Sequence, residues 1–157
     1  KRITWWPQLF LGVTFNWGAI IGWTALANNL STSCLILYFG SIFWTIGYDT
    51  IYAHQDKRDD DFLGLKSSAI FLGDKSKLAI SSFYLIFFTA ISFLSIMPFS
   101  LYTLSNVLIL IAIAFHLTMQ VYFLDINNPK NCYKIFKSNN SIGLMIFILF
   151  FSKTLIS

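Results

Sequence analysis

Five of the chain's seven acidic residues, Asp49, Asp56, Asp59, Asp60 and Asp61, fall in one stretch, Tyr48–Ala69, which reads YDTIYAHQDKRDDDFLGLKSSA. The stretch begins inside an apolar segment and ends in a polar loop. If the apolar helix runs on to Asp60, a turn of about 100° per residue places Asp56 about 20° to one side of Asp49 and Asp60 about 20° to the other. Tyr52 lies about 60° away and Asp59 about 80°. Asp49, Tyr52, Asp56 and Asp60 then share one face. Stacked carboxylates repel unless a cation sits among them. Hard oxygen donors favour Mg²⁺, which keeps waters and binds through one or two carboxylates plus substrate phosphates. The shared face therefore predicts a metal–phosphate site among these carboxylates. A solvated acidic loop is the bland alternative. Asp49 and Tyr52 argue against it, because they carry the acidic face back into a membrane-type helix, where an ionisable side chain is costly.

The elements that must position these residues are apolar helices. Of 157 residues, 56% are hydrophobic and only 11% charged, with 17 Phe. Long apolar stretches of this kind indicate transmembrane helices. The fold class expected is all-α, a multi-pass transmembrane bundle of about five spans. These are expected at about 3–27, 32–54, 78–97, 101–124 and 142–156, with polar loops at 55–77 and 125–141. Within the second loop, Pro129–Lys137 reads as a short interfacial helix with Cys132, Ile135 and Phe136 inward and the lysines outward. The turn Met97–Ser100 is uncharged. The whole chain, 1–157, reads as a single membrane-embedded domain, partial because Lys1-Arg2 opens directly onto an apolar span and resembles the interior of a longer protein.

Five crossings put Lys1, Arg2, the long loop and the 125–141 loop on one side. Ten of the eleven basic residues lie there, and only Lys153 lies toward the other side. By the positive-inside rule that side is cytoplasmic, and the expected location is a bacterial-type inner (plasma) membrane. The net charge of +4 does not indicate nucleic acid, since no basic run occupies a soluble face. Cys34 and Cys132 fall on opposite sides of the bilayer and are not expected to pair. Asn16, Asn106 and Gln120 read as interhelical hydrogen-bond partners.

Tyr48-Asp49, Tyr52-Ala53, the Asp56/Asp60 spacing and Gly64–Ser67 together resemble the second aspartate-rich motif of the UbiA superfamily of intramembrane prenyltransferases. The stretch is most similar to that of the 4-hydroxybenzoate polyprenyltransferases of ubiquinone synthesis. Lys1-Arg2-Ile3-Thr4, Pro7-Gln8 and Leu11-Gly12 look like the stretch opening the family's fifth helix. Pro129, Cys132, Phe136, Asn140 and Gly143 resemble its late loop and last helix. On this resemblance the spans are helices five to nine of a nine-helix bundle. The family's first aspartate-rich motif, NxxxDxxxD, does not occur in this sequence.

The resemblance implies transfer of a polyprenyl group from polyprenyl diphosphate to the ring of 4-hydroxybenzoate, with Mg²⁺ as cofactor held by Asp56 and Asp60, and Asp59 as an additional candidate ligand. It implies that Asp56, Asp60, Arg2, Asp49 and Tyr52 do the chemistry, with Lys1, Arg58 and Lys66 as further diphosphate contacts. Membrane lipids and the N-terminal helices, in cis or as a separate chain, are the other partners expected. The expectation is that the chain holds half of the site and is inactive alone. A transporter, or a non-catalytic membrane fragment with a cation-binding acidic helix end, is the alternative.

Overall fold

The computed structural model describes residues 1–96 and 104–154. The expected Met97–Ser100 turn, the start of a span at Leu101 and the end of one at Ile156 lie outside the described residues. The described chain is helical without strands, and five of its helical segments are long and apolar enough to cross a membrane. This is an all-α, multi-pass architecture.

The first span is two helices, α1 (Pro7–Phe15) and α2 (Trp17–Ala27). Pro7 occupies the first turn of α1, where a missing N–H costs nothing. Asn16 separates the two because its side-chain amide competes with the helical ladder. It donates to the Gly12 carbonyl at 2.8 Å and reaches across to Thr45 Oγ1 at 2.8 Å. The interhelical role expected of Asn16 is thus a link to α3. α2 stops at Asn28, whose φ of 50° is a left-handed conformation that asparagine tolerates better than most residues.

The central element is α3 (Thr32–Ala53), which packs against α1, α2, α6 and α8. Ser31 caps its start by accepting the Cys34 N–H at 3.2 Å. Without a hydrophobic drive between helices in lipid, association rests on close packing of small residues. Two glycines provide it. A Cβ at Gly40 would sit 2.7 Å from Ala90 Cβ, and one at Gly47 would sit 2.6 Å from the Tyr84 ring. Both close approaches join α3 to α6 (Ser76–Ile96). Buried Ile51, Ile80, Phe87, Ile113, Cys132 and Ile142 fuse these helices with α7 (Leu104–Phe123) and α8 (Pro129–Thr154) in one core.

Two expectations fail here. The 125–141 segment is not a loop with a separate interfacial helix before a span at 142. α8 runs unbroken from Pro129, with Asn128 Oδ1 accepting the Lys130 and Asn131 N–H groups at its start. The polar run Ser138–Ser141 stays helical because its buried side chains are satisfied inside the bundle. Asn139 accepts the Trp44 indole N–H at 3.0 Å, and Ser138 accepts from Gln120 at 2.8 Å. Cys132 and Ile135 are buried, Phe136 is half-buried, and Lys130, Lys134 and Lys137 are exposed. Both cysteines are free.

The second failure is at the other end of α3, which does not continue to Asp60. It stops at Ala53, turns through His54–Asp56, and restarts as α4 (Lys57–Phe62). The reason is electrostatic. A continued helix would place Asp59 and Asp60 at its negative C-terminal end, whereas the new helix has both in its first turn, where the macrodipole favours carboxylates. His54 is buried at the turn. Burial chiefly, then the Lys57 charge, hold its imidazole down at about 4, with the Ile126 backbone pulling the other way. α5 (Ser68–Leu72) and a 3₁₀ turn at Gly73–Lys75 lead into α6.

Gly40→Ala is expected to destabilise the bundle by about 1–3 kcal/mol, the usual cost of overpacking, because a neighbouring Cβ cannot rotate away. Gly143→Ala, whose Cβ would meet Trp44 at an ordinary 3.8 Å, serves as the control. Thermal unfolding in detergent, read by circular dichroism, separates the two. The depressed His54 value also sets a sign: the unfolded histidine takes up a proton near 6.5, the folded one only at about 4. Stability present above pH 6.5 is therefore lost as the pH falls toward 4, and His54→Gln flattens that part of the profile.

Candidate functional site

Three segments meet at one end of the bundle: residues 1–6, the turn 54–67 and the α7–α8 connection. The main chain fixes the first two together, since the Lys66 N–H donates to the Lys1 carbonyl at 2.6 Å. The Lys66 ammonium lies 3.4 Å from the Ile3 carbonyl and 5.6 Å from the centre of the Trp5 ring. Lys66 thus secures the turn rather than reaching the carboxylates. Deeper anchors come from residues that the spacing argument overlooked. Ser68 shares a buried hydrogen bond with Thr50 at 2.8 Å, and its N–H meets Gln8 Oε1 at 3.4 Å. The serine pair closing the motif, Ser67-Ser68, was the visible signal for them.

Within this frame Asp56 is the N-cap position of α4 and Asp60 lies one turn on, the Asp60 N–H donating to the Asp56 carbonyl at 2.8 Å. The pair is therefore kept one turn apart, but on a fresh helix and not on the face of α3 that carries Asp49 and Tyr52. That corrects the single four-residue face, since a helix that stops at Ala53 no longer sets the angle between the two halves.

The two carboxylates converge on one positive charge. Lys1 Nζ is 2.7 Å from Asp60 Oδ2 and 3.9 Å from Asp56 Oδ2. Asp60 is only 4% exposed, so a counter-charge is obligatory there. Lys1 also interacts electrostatically with Asp49, which brings the deeper carboxylate into the same field. Arg2, Arg58, Asp59 and Asp61 are exposed. Tyr52 is 39% exposed and rests on Phe136 of α8, ring centres 4.8 Å apart. Phe136 was read from the sequence as an inward-facing residue and as part of the family resemblance, and no spacing within α3 could reveal it as the partner of Tyr52.

The donor set suits a hard divalent cation shared with a substrate. Asp56 and Asp60 offer carboxylate oxygens aimed at one cation position. Among the described residues no group of three His, Cys, Asp or Glu side chains encloses an ion, so the remaining ligands would be waters or phosphate oxygens, as Mg²⁺ prefers.

Comparison with known proteins bears on what this end of the bundle belongs to. Residues 1–151 match the UbiA prenyltransferase family. The chain is 48% identical over 149 residues to the mitochondrial 4-hydroxybenzoate polyprenyltransferase of Bos taurus, covering 94% of this chain and 40% of the relative. It is 47% identical to the Homo sapiens protein of that name with the same coverage, and 42% identical to that of Caenorhabditis elegans over 99% of this chain and 44% of the relative. The chain thus spans about two fifths of the length of these curated relatives. Their names place them in mitochondria, in contrast to the bacterial-type inner membrane expected from charge alone. No solved structure matches significantly. A match over nearly the whole chain, on a multi-pass helical bundle, makes this protein a member of the UbiA prenyltransferase family.

Proposed function

We propose that this chain supplies the diphosphate-holding part of an enzyme that transfers a polyprenyl group to the ring of 4-hydroxybenzoate, in the ubiquinone pathway of its relatives. The observation that carries the reading is the convergence of Asp56 and Asp60 on a single cation position, occupied by the Lys1 ammonium. The relatives' names supply the donor and acceptor classes. They also favour a mitochondrial membrane over a bacterial one, with the acidic end on the side that carries the basic loops.

Asp56 and Asp60 would hold Mg²⁺, with Asp59 at the edge of the site. Bound there, the ion would offset the negative charge that grows on the diphosphate as the allylic C–O bond breaks. The protein's own cations act on the same group: Lys1 lies beside the carboxylates, and Arg2, Arg58 and Lys66 stand around the same end. Pre-set charges in a water-poor site cost no reorganisation when the bond breaks. The apolar helices keep water from the electron-poor prenyl carbon. Asp49 and Tyr52, deeper along α3, orient the phenol so that the ring carbon beside its hydroxyl forms the new bond and then loses its proton. The family's other aspartate-rich motif, contributed in cis or by a separate chain, completes the grip on the diphosphate, and this chain alone is inactive. A transporter would place its charges near the bilayer midplane, whereas Asp56 and Asp60 lie beyond the end of α3.

The test is binding of geranyl diphosphate to the chain in lipid nanodiscs, with and without Mg²⁺. Asp56→Asn and Asp60→Asn are each expected to weaken Mg²⁺-dependent binding by at least the roughly 10–100-fold seen for supporting groups around metals. Asp61→Asn, an exposed neighbour, should leave it unchanged. Binding indifferent to both Asp56 and Asp60 would sink the reading. Lys1→Gln should weaken diphosphate binding while tightening the affinity for Mn²⁺ alone, read by electron paramagnetic resonance.

A further inference from the structure

A band of aromatic rings runs along the seam between α3 and α8, and diphosphate binding makes no use of it. Trp44, Tyr48 and Tyr52 are four residues apart, so they follow one another along α3 with a drift of about 40° per step. Phe136 of α8 sits against the last two. Its ring centre is 4.8 Å from that of Tyr52 and 5.8 Å from that of Tyr48, with the planes tilted by 53° and 57°. Trp44 closes the deep end, edge-on to Tyr48 at 5.5 Å, its indole N–H fixed by Asn139.

The wheel shows which way this band faces. Tyr52 lies between its neighbours, about 40° from Tyr48 and about 60° from Asp49. Asp49 is the acidic neighbour on one flank of Tyr52, and Phe136 packs against Tyr48 on the other. One flank of Tyr52 is therefore acidic and the other aromatic. A face that carries Asp49 is not turned to lipid, where a carboxylate is expensive. Yet Tyr48, Asp49 and Phe136 are only half-buried and Tyr52 is exposed. Ring surface is left open beside the charged cluster.

We propose that Tyr48 and Phe136 form the platform on which the aromatic acceptor lies, with Phe136 the specificity-determining contact for a planar, monocyclic phenol. The inference rests on the prenyl-transfer reading and adds to it the place of the acceptor. Rings attract one another edge-to-face or offset, beyond what area alone contributes. Two tilted rings on α3 and α8 offer such surfaces to a flat guest. The guest then lies beside Tyr52 and deeper along α3 than the diphosphate cluster, where the prenyl carbon must reach it.

The experiment uses the chain in lipid nanodiscs, with 4-hydroxybenzoate as one probe and geranyl diphosphate plus Mg²⁺ as the other, each measured by equilibrium dialysis. Phe136→Leu keeps apolar bulk and removes the ring. It is expected to weaken the phenol about tenfold, the equivalent of about 1.4 kcal/mol, and to leave diphosphate affinity within about twofold. Phe136→Tyr, which restores a ring, should recover the phenol. 4-Hydroxycyclohexanecarboxylate, non-planar and not aromatic, should bind wild type as poorly as the phenol binds Phe136→Leu. The inference is overturned if Phe136→Leu binds the phenol like wild type, if the saturated acid binds as well as the phenol, or if wild type takes up diphosphate and no phenol. Loss of diphosphate binding in the wild-type chain, with phenol binding still dependent on the Phe136 ring, would instead sink the prenyl-transfer reading and support the platform.

Discussion

A carboxylate withdrawn from water at the edge of a bilayer needs a positive charge beside it, and the end of this bundle is built around that need. Asp60 is buried, and Lys1 answers it at 2.7 Å. The contact joins residues 59 positions apart in sequence, so it requires the segment before α1 to lie across the turn after α3. The Lys1–Lys66 main-chain bond and the Gln8–Ser68 and Thr50–Ser68 contacts hold it there. The glycine contacts of α3 with α6 in turn hold α3 in its place in the bundle. Local packing in the membrane therefore decides the geometry of a charged site outside it.

The helix break at Ala53 separates two demands that a single straight helix could not meet together. Asp49 and Tyr52 stay on α3, with Tyr52 against Phe136 and the aromatic seam. Asp56 and Asp60 move onto α4, where the start of a new helix favours their charge. One short turn thus divides a run of side chains into a deep part lined by aromatic rings and a shallow part that is charged.

Much of this was legible in the sequence, and the exceptions have physical causes. Apolar runs announced the membrane helices, because lipid admits little else that is open to composition. Asn128-Pro129 was a readable helix start, yet the run Ser138–Ser141 reads as an interruption. Its polar side chains meet Trp44 and Gln120 on other helices, and no window along one segment contains those partners. The acidic pair was evident from spacing, but its relation to Asp49 depended on whether α3 continued, and periodicity does not reveal where a dipole makes a fresh start preferable. Lys1 illustrates the same point. Its type and position suggested an anion contact, while its pairing with Asp60 is a product of the fold. Asn16 and Gln120 were easier, since a buried amide in an apolar helix must find a partner on another one.

The break at Asn16 also bears on how the site meets the lipid around it. α1 is held to the acidic turn through Gln8, and the segment before it through Lys1 and Lys66, while α2 beyond the break has no buried residue. A helix in a bilayer adjusts its tilt to the hydrocarbon thickness. With the break at Asn16, such an adjustment is expected in α2 first, since α1 is the half more closely seated against α3. A change in acyl-chain length is then expected to alter the outer half of the first span before it reaches the ammonium–carboxylate pair.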